Sequence, residues 1–215
     1  MAGISEQAES KSESDSWRVA TAKASANAVS VRYSNKLPIV KKFLIIQTAS
    51  IGDVILATPL IEKLHHNFPD ARIDFLLKKG NESLFKDHPK LRKTIIFDKS
   101  QDKYKNLFKI IKSTRGEKYD YVINIQRFTS SGIITALSGA KTKIGFDKNP
   151  LSVFLNKKIK HKIGVNGIHE IERNLELIKE LTDDRSFPVK LYPSREDFKK
   201  TEFYKCGKYV CIAPA

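Results

Sequence analysis

The sequence predicts an α/β fold, a Rossmann-like parallel sheet with helices on both faces, and three observations carry the prediction. The first apolar run, Phe43-Leu44-Ile45-Ile46, has no polar alternation, which suits a central parallel strand covered on both faces. Strand-like and helix-like segments then alternate as far as Phe146, the pattern of right-handed crossovers in a mainly parallel sheet. The turn after the first run places a single carboxylate, Asp53, at a helix start, where open α/β sheets keep their ligands.

Taken in order, the first strand at 43–47 leads into a helix at 53–67. There Val54, Ile55, Ile61 and Leu64 recur at helical spacing and Leu56 and Leu60 widen the stripe. Pro59 lies inside this segment and predicts a kink or a restart. A strand at 72–77, a short helix near 81–86 and a strand at 94–97 follow. Next come a helix at 104–113, a strand at 121–125, a helix at 129–137 and a strand at 143–146. Order loosens after Pro150 until a helix at 168–181, whose Ile171, Leu175, Ile178 and Leu181 form one stripe with charges opposite. A last strand is expected at 208–212.

Residues 1–36 are rich in Ser, Ala and Glu and cannot build much of a core, so they read as a flexible leader. A weak helix at 19–31 carries no assigned function. The expected organisation is this leader, a Rossmann-like domain at 37–185, and at 186–215 a linker with the first strand of a second, truncated domain.

Gly52 allows a backbone approach or dihedral that a side chain would block, and free N–H groups at a helix start bind anions or polar ligands. Thr48, Ser50 and Asp53 are expected to face that ligand. Asp53 also fits a second description, a first-turn carboxylate that caps orphan amides and complements the helix dipole. Arg127, directly after the strand ending at Ile125, is placed to clamp a phosphate or carboxylate through its fork or to be a surface arginine. Lys78, Lys79 and Asn81 follow the second strand at the same sheet edge, with solvation as the alternative for the lysines. His169 and Arg173, four apart on one helical face, read as architectural.

The 215 residues carry 39 Lys and Arg against 24 Asp and Glu, a formal charge of +15. An anionic partner is implied: nucleic acid, phosphorylated sugar or an acidic membrane surface. Nucleic acid is set aside because no finger spacing or aromatic-interleaved basic platform accompanies the charge. Cys206 and Cys211 are the only cysteines, too few for a disulfide framework or a zinc site, and they fit a reducing cytoplasm. No stretch approaches the roughly 18 apolar residues of a spanning helix. The first turn has one glycine where a dinucleotide fingerprint has three, and no Gly-Lys-Ser or Gly-Lys-Thr loop occurs.

The segment 43–59, with Ser50-Ile51-Gly52-Asp53 as its most specific part, resembles the N-terminal signature of the lipopolysaccharide heptosyltransferases, glycosyltransferase family nine. Collinear matches follow at Phe68-Pro69-Asp70-Ala71, Ile73-Asp74-Phe75-Leu76, Asn124-Ile125-Gln126, Ser130-Ser131, Lys143-Ile144-Gly145-Phe146 and from His169 to Leu177. The resemblance implies the N-terminal half of a two-Rossmann-domain enzyme of the GT-B type, with its C-terminal domain missing. It further implies inverting transfer of heptose, or a related sugar, from a nucleotide-sugar donor such as ADP-heptose to an anionic inner-core lipopolysaccharide or other surface-glycan acceptor. Asp53 would be the general base, with Thr48, Ser50, Gly52, Arg127 and Lys78 binding substrate and no metal or other cofactor. Such an enzyme would be cytoplasmic, with peripheral contact at the inner face of the inner membrane. The alternative is a non-catalytic Rossmann-like module that holds a phosphosugar or nucleotide.

Overall fold

The four apolar residues of the first run form the middle of β1 (Lys42–Gln47) and are fully buried. In this computed structural model residues 40–100, 102–162, 168–205, 207–208 and 210 are described, all within the unit Val40–Ala215. The leader at 1–36 and its weak helix lie outside the described residues, as does most of the expected strand at 208–212.

After β1 come α1 (Ile51–Ile55), α2 (Thr58–Asn67), β2 (Arg72–Lys78), a 3-10 turn (Glu82–Phe85), β3 (Lys93–Phe97) and α3 (Lys103–Glu117). They are followed by β4 (Tyr121–Asn124), α4 (Thr129–Leu137), β5 (Thr142–Phe146), a 3-10 turn (Ser152–Phe154) and β6 (Lys157–Ile159). Then come α5 (Glu170–Glu176), a 3-10 turn (Lys179–Leu181) and α6 (Arg195–Glu202). The strands form one sheet in the order β3-β2-β1-β4-β5-β6, every pair parallel. Strand order reverses between β1 and β4, which opens a crevice at their carboxyl ends.

Pleating sends Phe43 and Ile45 to one face and Leu44 and Ile46 to the other. The first pair packs with Ile61, Leu64 and Leu175 from α2 and α5. The second packs with Leu107, Ile110 and Ile134 from α3 and α4. Both faces are therefore covered, as the unbroken apolar run requires.

Pro59 restarts the helix. Lacking an N–H, it cannot bond the carbonyl of Ile55, which accepts instead from the Thr58 hydroxyl at 2.8 Å, and α2 begins with this proline in its first turn. The stripe expected as one helix at 168–181 is α5 followed by a 3-10 turn. Leu175, Ile178 and Leu181 are spaced by three, the interval that eclipses in 3-10 winding, so all three still meet the same core. The strand β6 is a departure from the sequence reading, which placed no element there. It pairs with β5 through Ile144 and Lys157, and lysines on a short edge strand hide it from pattern reading while protecting the edge.

Asp74, within one of the matched motifs, is fully buried. It accepts from Arg92 Nε at 2.8 Å and from the Tyr119 hydroxyl, and Arg92 also donates to Glu117 at 2.7 Å. The lysine and arginine beside Glu117 hold its carboxyl down at about 2. A buried charge this well partnered explains the motif aspartate as structural.

Candidate functional site

At the carboxyl end of β1 the chain turns through Thr48, Ala49 and Ser50 into α1. Ser50 is the N-cap residue, with φ −65° and ψ 167°, but its side chain makes no capping bond. Its hydroxyl donates instead to Asp53 Oδ2. Asp53 makes no capping bond either and has no ion pair among the described residues. Its carboxylate thus caps no orphan amide, one part of the second description the sequence allowed, and it lies in the first turn of α1 as the other part expects.

Asp53 lines a cleft of about 440 Å³, within the range that holds a small ligand. Gln47 and Ala49 from the β1 turn form one wall, residues 125–128 after β4 a second, and His161, Glu170, Arg173 and Asn174 a third. Asn149 holds the second wall in place, donating to the carbonyls of Gln126 at 3.0 Å and Phe128 at 3.2 Å. Asn81 anchors the first by donating to the Ala49 carbonyl at 3.1 Å.

The structure brings Asp53 and Arg127 into this one cleft. Arg127 is exposed and has no ion pair among the described residues. Ser50 reaches the cleft through its bond to Asp53. Thr48 does not line it: the side chain is buried, and its hydroxyl and carbonyl both accept from Lys99 Nζ at 3.1 Å. Lys78 is exposed outside the cleft, and Lys79 is paired with Asp98 at 2.7 Å. Gly52 has an ordinary dihedral, since only Gly80 and Gly139 among the described glycines have positive φ. A Cβ on Gly52 would meet nothing within 4 Å. Of the two roles expected of Gly52, backbone approach or dihedral, the dihedral is therefore corrected: the fold itself makes no demand for glycine there.

The third wall was not legible as a site. His161 sits in the lysine-rich run 157–162, which reads as a solvated face, yet it is buried edge-on against Phe146 with ring centroids 4.7 Å apart. Burial, and then the charges of Arg173, Arg127 and Lys148, push its pKa below the usual histidine value against the opposing effect of Asp147. Arg173 pairs with Glu170 at 3.2 Å, and Asn174 donates to the Leu56 carbonyl at 3.3 Å. His169, grouped with Arg173 in the sequence, caps α5 by accepting from Ile171 N. Lys99 is a second unforeseen feature. It is half-buried, lies 5.4 Å from the Phe97 ring centroid and 5.9 Å from that of Phe128, and its pKa is lowered by burial and by Lys78 and Lys103. Among the described residues no three His, Cys, Asp or Glu side chains converge as metal ligands.

The profile of glycosyltransferase family 9 (heptosyltransferase) matches residues 107–215. Lipopolysaccharide heptosyltransferase 3 of Escherichia coli is 31% identical over 138 residues, covering 62% of this chain and 41% of that protein. The chain thus spans about two-fifths of the length of this curated relative. Among solved structures, the family 9 glycosyl transferase of Veillonella parvula superposes with a TM-score of 0.66 at 20% identity, over 77% of this chain and 49% of the other. The E. coli heptosyltransferase WaaC with ADP gives 0.57 at 21% identity, over 69% and 49%.

Proposed function

The chain belongs to glycosyltransferase family 9, the heptosyltransferase family, and from that premise we propose that the intact enzyme transfers heptose from a nucleotide-sugar donor, ADP-heptose, to an inner-core lipopolysaccharide acceptor. The observation that carries this reading is the Asp53 carboxylate: unpaired by any described cation, bonded by Ser50, and open to the cleft at the point where strand order reverses.

In this reading the acceptor hydroxyl lies against Asp53. Its oxygen bonds to the anomeric carbon as the bond from that carbon to the diphosphate breaks, with inversion. The diphosphate leaves with the electron pair and Asp53 takes the hydroxyl proton. Proton transfer to the carboxylate accompanies bond formation. Arg127 meets an anionic group of the acceptor at the rim. Residues 37–185 form the acceptor domain and 186–215 lead toward a donor domain, a division supported by the coverage of about half of each solved relative. The E. coli relative solved with ADP supports the donor class. The net charge of +15 supports peripheral attachment to the anionic membrane face that presents the acceptor.

Asp53→Asn tests the assignment. Turnover by the intact gene product should fall by about 10²–10⁴-fold, with the thermal midpoint nearly unchanged. Undiminished turnover would remove Asp53 from the role of base.

A further inference from the structure

Five buried side-chain atoms find no hydrogen-bond partner among the described residues, and four of them are on residues that line the cleft: Gln126 Oε1, His161 Nδ1, Asn174 Oδ1 and Arg173 Nε. A buried polar atom left unpaired costs stability, and its presence calls for an explanation. Such atoms gathered in one cavity mark where a ligand supplies the missing partners.

Their chemistry is fixed by their neighbours. The amide of Asn174 faces the carbonyl of Leu56, which can only accept, so Nδ2 must point there and Oδ1 is the atom left over. The amide of Gln47 reaches the carbonyl of Asp53 at 3.5 Å, and turning it over would set two oxygens face to face. Gln47 Oε1 therefore accepts from Gln126 Nε2, and Gln126 Oε1 is left over in turn. Burial and the neighbouring cations lower the His161 pKa, which favours the neutral imidazole, and with its proton on Nε2 the unpartnered Nδ1 is an acceptor.

We propose that Gln126, His161 and Asn174 form a hydroxyl-reading floor, which selects a pyranose ring through the hydrogens of its free hydroxyls while any anionic group of the ligand stays at the rim with Arg127. These three atoms accept, with the Arg173 Nε donor beside them, and a sulfate or carboxylate, bringing only acceptors of its own, gains nothing from the three. A polyol satisfies them. The inference rests on the glycosyltransferase reading only for its expectation of a sugar; the acceptor-rich floor is a property of the cleft itself.

The test is an NMR titration of the isotope-labelled 215-residue chain with methyl α-D-mannopyranoside, the same glycoside with every hydroxyl methylated, and inorganic sulfate. The free glycoside should shift the side-chain resonances of His161, Gln126 and Asn174. The methylated glycoside at equal concentration should not, and sulfate should move Arg127 but leave Gln126, His161 and Asn174 unchanged. His161→Phe should weaken the free glycoside about fivefold, the worth of one hydrogen bond, and His161→Gln, which restores an acceptor, should recover most of it. An equal response to the methylated glycoside, a floor shifted by sulfate, or no response to the free glycoside would overturn the proposal. Glycoside bound at the floor together with full turnover in Asp53→Asn would retire the base and keep the floor. Equal binding of both glycosides with turnover lost in Asp53→Asn would do the reverse.

Discussion

Asp53 and His88 show how differently single side chains are used. The Asp53 carboxylate stays open to the cleft, whereas His88 is 6% exposed, lies edge-on to Tyr192 and has an unpartnered Nε2 among the described residues. Burial pushes the His88 imidazole down to about 4 from its ordinary 6.5, with Lys90 and His65 adding to the drop and Glu62 opposing it. The folded state therefore resists a proton that the unfolded chain accepts below pH 6.5, and stability is lost as pH falls from there toward 4. In urea titrations His88→Phe should remove about 2 kcal/mol of the stability loss between pH 7 and pH 5; an unchanged pH slope would place that loss on other groups. At this scale the sequence revealed only what local order can reveal. Asp53 stands in the first helical turn after β1 and Arg127 just after β4, so the sheet alone predicts the edge at which they lie. Asn174 reaches the site through Leu56, 118 residues away in the chain, and no local pattern announces such a bond.

The elements themselves were legible wherever hydrophobic period decides structure. The run 43–46 and the helical stripe of α2 are stated by residue spacing, and Pro59 announces the kink or restart that the structure resolves as a restart. The strand β6 was not, because an edge strand with lysines lacks the apolar signature of a covered one. Nor was the role of Gly132, which lies on α4 beside the loop that supports Gln126. A Cβ there would overlap Asn149 Oδ1 and come within 3.0 Å of Leu151 Cδ1. Since Asn149 holds the carbonyls of Gln126 and Phe128, Gly132→Ala should cost about 1–3 kcal/mol of overpacking. That lowers the thermal midpoint by about 2–4 °C for each kcal/mol. The same variant should loosen the second wall of the cleft, seen as faster amide exchange at 126–128. A normal midpoint with unchanged exchange would show that Asn149 can move aside.

For the molecule as a whole, charge is the property that composition states most plainly, and its meaning is the least local. With +15 on the chain, binding to phosphatidylglycerol vesicles should be strong in dilute buffer and largely lost at about 0.5 M salt, where screening shortens the reach of each lysine to a few ångströms. Retention at high salt would point to an apolar anchor instead. The central position of β1 has a separate consequence, for the order in which the chain can assemble. One edge of β1 pairs with β2, starting at Lys42 and Arg72. The other waits for β4, and the Lys42 amide finds its partner Asp120 only 78 residues later. Local pairing can therefore fold the β1–β2–β3 half as it leaves the ribosome, while the nascent β1, with four apolar residues at its middle, carries one edge of unpaired N–H and C=O groups until residues near 121 emerge. That interval is when the protein most needs a chaperone, because an unpaired apolar strand is a template for aggregation.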